Sequence, residues 1–215
     1  MALRHSLIMG ALLSGLLCSC IGVGANITLR QDGSGTILLE YRIARELESL
    51  GKLDGNEQWL PVPVGRADLE RTVARIPGLT MQSFQSRNQK KDIHIRTLLA
   101  FADPQALCAF LDAAGQGAAL IQTPGQRRLS LTLGAKQEPL DQDLAGLLTQ
   151  ALEGYTWDLT LSLPAEGEFL VLGPEGQKPV SQWVRLGSGR AAYSAPMGAL
   201  LNAVEPIRLE ARWTP

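Results

Sequence analysis

Residues 79–115 read LTMQSFQSRNQKKDIHIRTLLAFADPQALCAFLDAAG. Two segments, Leu79–Ser86 and Asp92–Phe101, flank the polar tip Arg87-Asn88-Gln89-Lys90-Lys91, the pattern of a β-hairpin. In the second segment, alternation puts Asp92, His94 and Arg96 on one face and Ile93 and Ile95 on the other. Asp103-Pro104 then starts a helix, with the carboxylate as N-cap and proline at the first helical position. Leu107, Phe110, Leu111 and Ala114 form its apolar face, and Gly115 closes it. The unit is strand, strand, helix.

The same unit repeats on both sides. Upstream, Asn26–Asp32 alternates around Ile27 and Leu29, and Asp32-Gly33-Ser34-Gly35 turns the chain into a second strand, Thr36–Ile43. Ala44–Leu50 reads as a short helix stopped by Gly51, and residues 52–65, with Trp59, read as a loop. Leu69, Val73 and Ile76 then share one face of a helix ended by Pro77-Gly78. Downstream, Ala118–Gln122 and Arg128–Leu133 flank Thr123-Pro124-Gly125, and Pro139–Glu153 is an amphipathic helix. The last third is strand and turn: Tyr155–Leu163, Glu168–Leu172, Val180–Leu186, Arg190–Ser194 and Ile207–Trp213, with one or two helical turns within Ala195–Ala203. Paired strands interleaved with helices predict an α+β fold: an antiparallel β-sheet of successive hairpins with helices packed on one face.

Composition narrows the function. The 215 residues carry 20 basic and 21 acidic side chains, a balance that argues against a nucleic-acid binder. Hydrophobic residues at 45% and charged residues at 19% argue for a folded chain with a real core. Three cysteines and two histidines are too few for a disulfide scaffold or a His-rich metal site.

The first residues carry a different message. Arg4-His5 precedes an apolar run opening with Leu7-Ile8-Met9-Gly10-Ala11-Leu12-Leu13, the layout of a secretory signal peptide. The run ends in Leu17-Cys18-Ser19-Cys20, which resembles the lipobox of bacterial lipoproteins: aliphatic at −3, small at −1, cysteine at +1. The resemblance implies cleavage after Ser19 and acylation of Cys20, leaving residues 20–25 as a lipidated tether and 26–215 as one extracytoplasmic domain. Two other readings compete: ordinary cleavage before Asn26, after Val23-Gly24-Ala25, and an uncleaved membrane anchor. Removing Arg4 with the leader takes the net charge from −1 to −2, so lipid rather than charge must hold the protein at a membrane.

The hairpin Asp32-Gly33-Ser34-Gly35 after a lipobox, and the strand Leu159–Pro164 leading to Val180-Ser181-Gln182-Trp183, together resemble the LppM-like domain of bacterial envelope lipoproteins. The resemblance covers most of residues 26–195. It implies an α+β domain on the outer side of the cytoplasmic membrane and a lipid or glycolipid ligand.

Catalytic signals are weak. His94 sits in a polar strand face, and no Gly-x-Ser-x-Gly elbow occurs. Cys108 lies in an amphipathic helix beside Leu107 and Phe110, where a thiol is a small hydrophobe. Asp141 and Asp143 lack the rest of a calcium loop, and Gly173–Lys178 lacks the Ser or Thr of a phosphate loop. The clusters Lys90-Lys91 and Arg127-Arg128 fall near hairpin tips, solvated or facing a membrane. Of Trp59, Trp157, Trp183 and Trp213, three are expected in the core, and the alternative is an apolar groove for an acyl chain.

The expectation is therefore a non-catalytic envelope lipoprotein. It would be anchored at the membrane through Cys20, would need no cofactor or metal, and would bind a lipid or glycolipid between sheet and helices. The alternative is a structural or assembly lipoprotein that binds a protein partner.

Overall fold

A computed structural model describes residues 21–44, 65–90, 92–113, 117–134, 145–146, 149–150, 152–173 and 181–214. Cys20, Trp59, residues 45–50 of the helix expected at Ala44–Leu50 and most of that at Pro139–Glu153 lie outside them; Ala44 itself ends a strand, and residues 145–146 and 149–150 are helical. The described residues form an α+β fold, mostly strands, with three short helices.

The first hairpin is β1 (Ile21–Leu29) and β2 (Gly35–Ala44). Asp32 shapes its turn: the Ser34 N–H and hydroxyl both donate to Asp32 Oδ1, at 2.9 and 2.8 Å, while Gly33 takes φ +87°. These bonds hold the Asp32 carboxyl below its ordinary range, the side-chain bond from Ser34 most of all. Helix α1 (Arg66–Arg75) follows and buries Leu69. Gly78, at φ +79°, carries the chain from it into β3 (Leu79–Asn88). The hairpin β3 and β4 (Asp92–Phe101) and the helix α2 (Pro104–Ala113) match the reading of residues 79–113, while Ala114 and Gly115 lie outside the described residues. Asp103 Oδ1 accepts the Ala106 N–H at 2.8 Å, the expected N-cap.

The strands β5 (Gly117–Thr123) and β6 (Gln126–Leu133) form the third hairpin. Then come β7 (Thr156–Ser162), β8 (Gly167–Leu172), β9 (Trp183–Gly187), β10 (Arg190–Pro196), α3 (Met197–Leu201) and β11 (Ile207–Trp213).

The strands make two sheets where one was expected. Seven lie in the order β3-β4-β2-β1-β7-β10-β9, and four in the order β5-β6-β11-β8. One pair is parallel: Val23 to Thr28 of β1 lie alongside Trp157 to Ser162 of β7. A turn announces an antiparallel neighbour, but a parallel neighbour arrives by a long crossover that leaves no local signal. A second difference is at the start, where residues 21–25, expected to be tether, are strand. Val23 and Ala25 pack on the core side there, while Gly22 and Gly24 lie on the opposite face against Arg42 and Glu40.

One contiguous core joins both sheets and the helices. Ile27, Ile37 and Leu99 of the larger sheet, Leu129, Leu131 and Leu209 of the smaller, and Leu69, Leu107 and Phe110 of the helices are all buried in it. Each such side chain contributes about 1.5–3 kcal/mol by leaving water. An aromatic chain ties the sheets together: Trp157 to Tyr193 at 6.1 Å, Tyr193 to Trp183 at 5.8 Å, and Trp183 to Phe169 of β8 at 5.3 Å. Trp183 Nε1 donates to the Leu170 carbonyl at 3.0 Å.

Candidate functional site

The side of the seven-stranded sheet away from this core carries a groove of about 490 Å3. Its floor is β1, where Gly22 and Gly24 offer no side chains. Strand register stacks the walls in rows. In the first row, Arg87 of β3 faces His94 of β4, His94 faces Arg42 of β2, and Arg42 faces Gly22. In the second, Gln85, Arg96, Glu40, Gly24 and Asp158 follow in order across five strands. All of these residues line the groove, together with Asn26, Thr156 and Thr160.

The basic groups are held differently. Arg42 stacks its guanidinium 4.5 Å from the centre of the Tyr155 ring and donates through Nη2 to the Gly154 carbonyl. Its Nε lies 3.9 Å from Asp92 Oδ2, and the Tyr155 hydroxyl donates to the other Asp92 oxygen at 3.3 Å. Arg96 Nε lies 3.4 Å from Glu40 Oε1. Arg87 has no ion-pair partner among the described residues, and His94 makes no side-chain hydrogen bond among them. The first row therefore has two guanidiniums and an imidazole in line, with Asp92 already engaged by one of them. Such a row favours an anion, and the surrounding amide and hydroxyl groups suit sugar or glycerol oxygens.

The lining contains hydroxyls of Thr156 and Thr160 but no serine or cysteine next to His94 among the described residues. Cys108 stands elsewhere, half-buried against the core, and burial pushes its thiol up, away from the thiolate a nucleophile needs. No group of three or more potential metal ligands occurs among the described residues. Of the tryptophans, Trp157 and Trp213 are buried and Trp183 is half-buried in the aromatic chain. Arg127 donates to the Gln31 carbonyl at 3.2 Å, so that basic cluster braces the β1–β2 turn.

The sequence reading singled out His94 but missed the groove around it. The available signal was the alternation of Gly22 and Gly24 with Val23 and Ala25, hidden in a segment that read as tether.

No protein-family profile matches the chain, and no curated protein matches it either. Among solved structures, the chain is similar to the folded domain of LppM from Mycobacterium tuberculosis, determined by NMR, with a TM-score of 0.49. The match covers 91% of each chain at 14% identity, too low to transfer the role of any residue. Among the described residues no helix is long and apolar enough to cross a membrane.

Proposed function

We propose that this chain is a lipid-anchored lipoprotein of the bacterial cell envelope, non-catalytic, acylated at Cys20, which binds a lipid or glycolipid by its headgroup. The observation that carries the reading is the open-face groove, with its glycine floor and the row Arg87, His94, Arg42. A polar lining of this kind fits a phosphate or sugar headgroup better than an acyl chain, which moves the ligand from the helix side of the sheet to the opposite face. The lipobox Leu17-Cys18-Ser19-Cys20 supports the anchor.

The test is extraction of the purified, acylated protein with organic solvent followed by mass spectrometry, and binding of envelope lipids to the stripped protein. A co-purifying or rebinding lipid with a polar headgroup is expected. Gly24→Val should weaken it about tenfold or more, equivalent to about 1.4 kcal/mol. A Cβ at position 24 meets only ordinary contacts, with Glu40 at 3.6 Å, so the new side chain starts into the groove without a clash at its first atom. Absence of bound lipid together with absence of rebinding would sink the reading.

A second reading has its own observation. On β9, an edge strand, Val184 and Leu186 are 62% and 53% exposed, an apolar edge of the kind that accepts another protein. In that assembly role, crosslinking in cells from position 184 should trap one dominant partner, and a ladder of unrelated products would count against it.

A further inference from the structure

Between Cys20 and the sheet there is no slack. Ile21 already pairs with Ile43, and Val23 with Trp157, so the central strand of the larger sheet starts one residue after the cysteine. One residue reaches about 3.6 Å at most. An acyl group on Cys20 would thus hold this end of the sheet at the lipid headgroups and point the other end away.

The β3–β4 tip lies at the same end. Asn88 pairs with Ile93, Ile93 with Ile43, and Ile43 with Ile21. Three strand spacings of about 4.8 Å set the tip roughly 14 Å to the side of the β1 start. Arg87 and Lys90 are exposed there, and neither has an ion-pair partner among the described residues. Of the nearby carboxylates, Asp92 is engaged by Arg42, and Glu153 is exposed beside Gly154, whose carbonyl Arg42 also holds. The tip is therefore the basic part of the end that the anchor would bring to the membrane.

We infer that this end of the sheet docks on an anionic bilayer leaflet, with Arg87 and Lys90 against lipid phosphates. The inference rests on acylation at Cys20. Covalent anchoring makes so small a charge cluster effective, because the anchor fixes the tip at high local concentration near the surface. The open-face groove then opens near the headgroup layer, since its first row ends at Arg87.

The test uses the mature acylated chain in vesicles of phosphatidylcholine with or without phosphatidylglycerol. A spin label is placed at Gln89→Cys or, for comparison, at Ser188→Cys in the β9–β10 turn at the opposite end, in a Cys108→Ala background. On vesicles containing phosphatidylglycerol, the label at 89 should lose most of its access to a water-soluble relaxation agent while that at 188 keeps it. Phosphatidylcholine alone, high salt, or Arg87→Glu with Lys90→Glu should restore access at 89. Equal access at 89 and 188 on the anionic vesicles, or protection at 89 that survives the double reversal, would overturn the docking and leave the anchor standing. A purified chain whose mass shows no acyl group on Cys20 would overturn both.

Discussion

At position 35 the chain has no room for a side chain. A Cβ there would run into the Thr28 carbonyl and the Phe101 ring, because β2 starts wedged between Leu29 of β1 and Phe101 of β4. Gly35→Ala should therefore lower stability by about 1–3 kcal/mol, read as a lower midpoint in urea unfolding. Gly33 is needed for a different reason, its positive φ, so one short motif contains two glycines with separate duties. Thr97 presents the opposite opportunity. It is fully buried on β4 and its hydroxyl has no partner, so Thr97→Val should raise stability by about 1 kcal/mol, visible as a higher Tm. Neither prediction was open to the sequence. Gly35 reads as a turn glycine until Thr28 and Phe101 close on it, and alternation puts Thr97 on the inward face with Ile93 and Ile95 without showing that its hydroxyl lacks a partner there.

Among the elements, short-range chemistry was the legible part. Alternation in Asp92–Phe101, the Asp103-Pro104 start and the Thr123-Pro124-Gly125 turn each act within a few residues, and the strands and helix they announce are in place. What stayed hidden depends on distant partners: the parallel β1–β7 pair, the separate four-stranded sheet, and a groove whose walls come from β2, β3, β4 and β7. The burial of Glu210 on the inner strand β11 also belongs to this class, although its ion-pair partner is close in sequence. Glu210 has a side chain only 4% exposed, and Arg212, two residues on, donates to it from Nε at 3.2 Å and Nη2 at 2.8 Å. Arg212→Met should strand that carboxylate and cost about 2–4 kcal/mol. Adding Glu210→Gln should recover much of the loss, and a thermal-denaturation double-mutant cycle measures the coupling.

For the molecule as a whole, the proposed attachment to a membrane turns on a single side chain. Cys20→Ala should abolish labelling by a fatty-acid analogue and release the protein from the membrane fraction, since the net charge of the chain offers no substitute. Labelling that persisted in the variant would refute the anchor. The proposed leader rests on linear sequence alone, which is how targeting signals are read. The groove could not be read that way, because its lining residues come from strands far apart in the chain.

The parallel pair at the centre of the larger sheet also sets a timetable. Ribosomes deliver chains from the amino end, so β1 emerges among the first described residues. Its hairpin with β2 can close early, but its other edge must wait for Trp157 to Ser162, after the β3–β4 and β5–β6 hairpins have appeared. Until then the future middle of the sheet is an open edge, ready to pair with any strand that comes near. Contacts so distant along the chain slow folding, so a chain truncated before residue 156 should expose that edge and aggregate.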